Sequence, residues 1–143
     1  MFGFGKKARK AVQEVKKFEK RDLAQAVVNA AWLVAYADGD CSNVEKAAVD
    51  QVLRANPVLS AFTSEIQGIS QTITTQLDAN YKIGRLAAYR EIEDCKGDQR
   101  EAEDVLVTAI AIAEADGEIQ EQEKKVLDEI ANRLGLRLET YLD

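Results

Sequence analysis

Histidine is absent from the 143 residues. That removes the commonest general acid–base residue, the commonest zinc ligand and the usual nucleophile–histidine triads. Proline occurs once, at Pro57, and aromatic residues make up only 6% of the chain. With Ala, Leu, Glu, Gln and Lys plentiful, this balance points to an all-α fold. A chain of this length can bury one core without disulfides or a structural metal. The two cysteines, Cys41 and Cys95, suit free thiols of a reducing compartment, with a Cys41–Cys95 bridge as the alternative. No apolar run reaches the roughly 18–20 residues that a bilayer span needs, and the N-terminus lacks the apolar core of a secretory signal. The expected location is the cytoplasm.

Charge is distributed unevenly. Residues 1–21 carry Lys6, Lys7, Arg9, Lys10, Lys16, Lys17, Lys20 and Arg21 against Glu14 and Glu19, a net of +6. The remainder carries a net of −12, giving −6 overall. An acidic body of this kind repels nucleic acid, so no nucleic-acid partner is expected. The basic arm also has an apolar stripe, Ala8, Val12, Val15 and Phe18, behind Phe2 and Phe4. Two readings stay open. It is a terminal helix laid on the core, or it docks on an anionic membrane surface or membrane protein, with Phe2 and Phe4 as anchors. The second reading would make the protein peripheral at the inner face of the membrane.

Helical periodicity governs the rest. Asp22 reads as an N-cap for a buried helix running from Leu23 to Ala37, with Gly39 at C′. Ser42-Asn43-Val44-Glu45 matches a capping box and opens a helix that stops at Asn56-Pro57. A short helical turn over 57–62 precedes a segment capped by Thr63 or Ser64 and carrying Ile66, Ile69, Ile73 and Leu77. After a break at Asp78-Ala79-Asn80, a helix from Tyr81 to Cys95 carries Ile83, Leu86, Ala87 and Ile92. A second long buried helix spans Gln99 to Ala115, its partner spans Glu121 to Leu134, Gly135 caps it, and Leu136 to Leu142 form a last short helix.

Two stretches repeat at an offset of 78 residues. Ala37-Asp38-Gly39-Asp40 with Glu45-Lys46 recurs as Ala115-Asp116-Gly117-Glu118 with Glu123-Lys124. At the same offset Ala24 matches Ala102, Val27 matches Val105, Ala31 matches Ala109, Ala35 matches Ala113 and Asp50 matches Asp128. The pattern predicts a compact single-domain helical bundle with two pseudo-symmetric helix–acidic corner–helix repeats. A two-fold pairing would bury both apolar stripes and bring the corners near each other.

The corners admit two explanations, helix capping or binding. Glu45 with Ser42 fits capping well. Glu123 keeps the same place, but Gln120 replaces the serine and the box is lost. Asp40 and Glu118 lie close enough to a helix start for its dipole to help. Asp38 and Asp116 sit at helix C-terminal ends, where the dipole disfavours an anion by about 0.3–1 kcal/mol. Two aspartates, helix-end carbonyls and a folded-back glutamate would make a nest of hard oxygens for a divalent cation, calcium or magnesium rather than zinc. The candidate ligands are Asp38, Asp40, Glu45, Asp116, Glu118 and Glu123. The spacing is not that of an EF-hand, which needs glycine sixth and glutamate twelfth in its loop. Cys41 has Ile119 as its repeat partner, so it reads as a buried apolar-like residue rather than a ligand. The other open reading of the corners is a charged surface that recognises a protein partner. Paired carboxylates alone are weak grounds for catalysis, and no nucleophile motif, phosphate loop or cofactor fingerprint accompanies them. The expectation is a protein that is not an enzyme.

Ala35-Tyr36-Ala37-Asp38-Gly39 with Glu45, Asn56-Pro57, and Ala113-Glu114-Ala115-Asp116-Gly117-Glu118 with Glu123 together resemble the TerB family of tellurite-resistance proteins. The resemblance runs from the basic start to Gly135-Leu136. It implies a basic amphipathic arm, residues 1–21, before an all-helical TerB-like domain, residues 22–143. It further implies internal two-fold character and a metal-binding acidic cluster at the six carboxylates above. A role in resistance to tellurite, phage and colicin is implied as well, with a TerC-type membrane protein and other tellurite-resistance proteins as partners. The implied function is a cytoplasmic metal-binding adaptor or sensor. Its alternative is a metal-independent interaction module using the acidic surface.

Overall fold

A computed structural model describes residues 20–115 and 117–142. Residues 1–19 of the expected N-terminal arm, residues 1–21, and the candidate ligand Asp116 lie outside the described residues. Among these residues are six α-helices and no strand: α1 (Arg21–Ala35), α2 (Asn43–Ala55), α3 (Thr63–Ala79), α4 (Tyr81–Glu93), α5 (Gln99–Glu114) and α6 (Glu121–Leu134). Short 3₁₀ segments, Pro57–Phe62 and Leu138–Tyr141, precede α3 and follow α6.

The fold is organised around α1. Every residue from Leu23 to Val34 except Gln25 is buried, because the sequence is apolar around the whole helix rather than along one stripe. It packs on α5, α4, α3, α2 and α6. Each fully buried Val or Leu here contributes roughly 1.5–3 kcal/mol relative to exposure. The polar groups carried inside are satisfied: Asn29 Nδ2 donates to the Gln25 carbonyl at 2.8 Å and Trp32 Nε1 donates to Ser70 Oγ at 2.8 Å.

The ends of α1 differ from the expectation. The helix begins at Arg21 with Lys20 as the cap residue, so Asp22 lies in the first turn instead of capping it. It stops at Ala35, where the Tyr36 and Ala37 N–H groups bond back to Trp32 and Val34. Gly39 is therefore not the C′ residue. It turns the following loop with φ 90°, and its N–H bonds to the Tyr36 carbonyl at 2.7 Å.

Other boundaries follow their local chemistry. Asn56 closes α2, accepts the Val58 N–H at 2.9 Å and donates to Thr108 Oγ1 at 2.9 Å, which ties the loop to α5. Neither Thr63 nor Ser64 caps α3, which follows directly from the 3₁₀ segment with Phe62 before it. Asn80 both ends α3 and caps α4 by accepting the Ile83 N–H at 3.1 Å. The face of α4 turned inward carries Gly84, Ala88, Tyr89 and Ile92; Ile83 and Leu86 are 65% and 45% exposed. Gly84 sets this face, because its missing side chain lets α4 approach the backbone of Gln76 and Leu77 on α3. Cys41 and Cys95 are both buried free thiols, so the alternative disulfide is not formed.

The two repeated stretches have similar local form. Each joins two helices through a glycine of positive φ, 90° at Gly39 and 116° at Gly117. Each ends on an extended residue before the second helix, Ser42 or Gln120. Beyond that, α6 packs on both α1 and α5, while α2 packs on α1 and meets α5 across a groove bordered by Val52, Val58 and Val107.

Candidate functional site

The first corner is a chain of short hydrogen bonds. Asp38 Oδ1 accepts the Asp40 N–H at 3.1 Å, and Asp40 Oδ1 accepts the Cys41 N–H at 2.8 Å. Aspartate stabilises such turns because its short side chain reaches backbone N–H groups just ahead. Asp38 thus has a structural role that the helix dipole alone does not suggest. Both carboxylates are exposed, and the second oxygen of each makes no hydrogen bond or ion pair among the described residues. Ser42 Oγ accepts the Glu45 N–H at 3.2 Å, the serine half of the expected capping box, and donates to Glu45 Oε1 at 3.0 Å, a bond between side chains. Glu45 is therefore turned toward the start of its own helix.

In the second corner Glu118 is exposed, and the Glu123 carboxylate accepts the Gln120 N–H at 2.8 Å. The capping box thus forms with Gln120 in place of serine, contrary to the expectation that it is lost. Ile119 is half-buried against the core where the first corner has the buried Cys41. This matches the reading of Cys41 as an apolar plug. Burial, reinforced by the charges of Glu45, Asp38 and Asp40, pushes its thiol up to about 11. Cys41 is buried, and its counterpart in the second corner is Ile119, so the thiol is not a donor that both corners share. The donors common to the two corners are all carboxylate oxygens, which fit a hard cation better than a soft one. Among the described residues no group of three or more Cys, Asp or Glu side chains is poised to hold a metal ion; Asp116 lies outside that set.

A neighbouring link joins three helices at the first corner. The buried Tyr36 donates its hydroxyl to Asp78 Oδ1 at 2.9 Å, and Lys46 Nζ reaches Asp78 Oδ2 at 3.3 Å. Lys46 also lies 5.9 Å from the Tyr36 ring centroid. Burial and the Asp78 hydrogen bond push the Tyr36 phenol up to about 12. Sequence reading took Asp78 only as part of a helix break. No local pattern marks a carboxylate whose partners are 42 and 32 residues away. The copies are also unequal here: Glu114 stands where Tyr36 does, so the link is not repeated.

The corners adjoin one groove. Its lining includes Ala37, next to Asp38, and Gln122, next to Glu123. The groove holds about 680 Å³ between α4 and α6, and basic and aromatic side chains dominate its walls.

These features define an all-helical domain built on one buried helix, with acidic corners repeated at matched positions. The chain matches the family model described as Tellurite resistance protein TerB over residues 5–59 and 63–141, and it belongs to that family. Comparison with curated proteins and with solved structures found no match. Among the described residues no helix is long and apolar enough to cross a membrane.

Proposed function

We propose that this TerB-family chain is a metal-binding adaptor or sensor in tellurite-linked stress resistance, not an enzyme. Its acidic corners take a hard divalent cation, calcium or magnesium, through Asp38, Asp40, Glu45, Asp116, Glu118 and Glu123. It works with a TerC-type membrane protein and other tellurite-resistance proteins, and the basic residues 1–21 hold it peripherally at the inner face of the membrane. One observation carries the metal reading: Asp38 and Asp40 share one tight turn, each exposed and each with an oxygen to spare. A cation there needs little further ordering of ligands. Tellurite, an oxyanion, is repelled by such a site, so the role in resistance is indirect.

Calorimetric titration of metal-free protein with calcium, magnesium, manganese and zinc tests the site. Saturable binding of calcium or magnesium, lost in Asp38→Asn with Asp116→Asn, is expected. If none binds, or if the double variant binds as well as the parent, the assignment fails. The membrane role is tested by co-sedimentation with anionic vesicles. Pelleting should fall on raising salt and on deleting residues 1–21; equal pelleting of the truncated protein ends that part.

A metal-independent interaction surface is the second reading. It is favoured by the hydrogen bonds that Asp38 and Asp40 already make, which hold the corner in shape with protein groups alone. Partner capture that ignores chelator but is abolished by the same double substitution selects it over the first.

A further inference from the structure

The groove between α4 and α6 runs against the charge of the body around it. Four cations line it, Lys82 and Arg85 from α4 and Lys125 and Arg133 from α6, with Glu129 as the one acidic lining residue among the described residues. Arg133 is already neutralised: it bonds Glu129 at 2.9 Å and Glu93 at 2.6 Å, and its guanidinium lies 4.6 Å from the Tyr89 ring centroid. Lys82, Arg85 and Lys125 make no ion pair among the described residues. Arg85 instead lies 5.5 Å from the Tyr81 ring centroid. Carboxylates are not scarce in a chain with 25 of them against 19 basic residues. Three cations meeting in one depression with no ion pair among the described residues is therefore a local arrangement rather than a consequence of composition.

The lining also holds apolar residues, of which Leu86 is the most exposed. Leu86 is 45% exposed, while Tyr89, Val126 and Ala37 complete the lining nearby. The helical spacing explains the combination. Tyr81, Arg85 and Tyr89 fall on one side of α4 at intervals of four, and Gln122, Val126 and Glu129 with Arg133 do so on α6 at intervals of three and four. Two helix faces thus form a trough with apolar side chains inside and cations along it.

Size and charge select the occupant. About 680 Å³ is far more than an inorganic oxyanion fills, and it suits several side chains of a peptide. An acidic amphipathic helix matches both properties, with apolar residues in the trough and carboxylates against the cations. We propose that the α4–α6 groove is a docking site for an acidic amphipathic segment of a partner protein. This site does not depend on a metal at the acidic corners.

The probe is a dye-labelled synthetic peptide of about three helical turns, with Glu on one face and Leu on the other. It is titrated with the full chain and followed by fluorescence anisotropy. Lys82→Glu, Arg85→Glu and Lys125→Glu together should weaken binding by at least about tenfold, through lost attraction and new repulsion. A control triple of equal charge change, Lys96→Glu, Arg100→Glu and Arg137→Glu, should alter it by less than about threefold, as expected for diffuse charge alone. Helical circular dichroism checks that each variant folds. If the groove triple does not fold, the Gln versions at the same three positions replace it. Chelator should leave binding unchanged, which separates this outcome from the metal proposal. The proposal is overturned if the two triples weaken binding equally, or if the groove triple has no effect because residues 1–21 hold the peptide. It is also overturned if inorganic phosphate displaces the peptide at submillimolar concentration, or if the groove triple abolishes self-association of the chain, which would make a second copy the occupant.

Discussion

The Tyr36 hydroxyl donates to Asp78 Oδ1 at 2.9 Å, joining the end of α1 to the end of α3 beside the first acidic corner. Asp78 also holds Lys46 on its other oxygen. Removing the acceptor leaves the buried phenol O–H without the carboxylate it donates to, whereas removing the phenol leaves a carboxylate that water can reach. Asp78→Ala should therefore cost about 1–3 kcal/mol and Tyr36→Phe about 1 kcal/mol. The half-exposed Lys46 should matter least, with Lys46→Ala under about 1 kcal/mol. Urea unfolding of the three variants checks the order.

The same pair gives a pH dependence with a definite sign. The Tyr36 phenol stands at about 12 in the fold, through burial and then the Asp78 bond, against an ordinary value of 10.0. A group raised on folding favours the folded state while it stays protonated. Its contribution is complete below pH 10.0 and is lost as pH rises toward about 12. Subtracting the stability profile of Tyr36→Phe from that of the parent should isolate this loss from that of Tyr89, which burial also pushes up to about 12. A flat difference across the window would contradict the assignment.

Gly84 faces the backbone of α3. A Cβ there would lie 2.8 Å from Leu77 N and 2.9 Å from Gln76 C. Helix propensity favours alanine over glycine by up to about 1 kcal/mol. Overpacking costs about 1–3 kcal/mol and prevails here, because the obstructing atoms are backbone and cannot rotate aside. Gly84→Ala should lower the urea midpoint; an unchanged or higher midpoint would mean that the helices separate easily.

This contact also shows why part of the fold was legible in the sequence and part was not. The bounds of α6, Glu121–Leu134, agree with its reading because an apolar stripe, first-turn glutamates and Gly135 all mark the same ends. The buried α1 was equally clear from its apolar surface, although its last turn relaxes before Ala37. The inward face of α4 was misleading because the residue that decides it, Gly84, has no hydrophobicity to read. The acidic corners were found by repetition, a signal available without any structure. Asp38's bond to the Asp40 N–H is not legible in the sequence, because the helix dipole that disfavours an anion there says nothing of the donors in the following loop. The α4–α6 groove left no local signature, since its cations come from helices roughly forty residues apart and meet only through packing.

The two thiols should be inert in the native protein. Burial leads the shift that pushes Cys41 up to about 11 and Cys95 up to about 12, and Cys95 Sγ further donates to the Asp22 carbonyl at 3.8 Å. The thiolate is the reactive form, so near neutral pH its population falls about a hundredfold at Cys41 and about a thousandfold at Cys95 before steric protection is counted. A thiol reagent near neutral pH should label neither cysteine in the folded chain and both after denaturation. Rapid labelling of Cys41 in the folded chain would show that the first corner opens.

Asp38 has two separable roles, one in the turn and one toward a cation. Asp38→Asn keeps a carbonyl oxygen that can accept the Asp40 N–H, while Asp38→Ala removes it. The alanine variant should therefore lose about 0.5–1.5 kcal/mol of stability and the asparagine variant only a few tenths. Divalent-cation affinity depends on the formal charge as well, so both substitutions should weaken it, by about tenfold or more if Asp38 is a ligand. Calorimetric titration and urea unfolding of the same two proteins separate the roles. Normal stability with lost cation binding in Asp38→Asn supports ligation. Normal stability with unchanged cation binding assigns Asp38 to the turn alone.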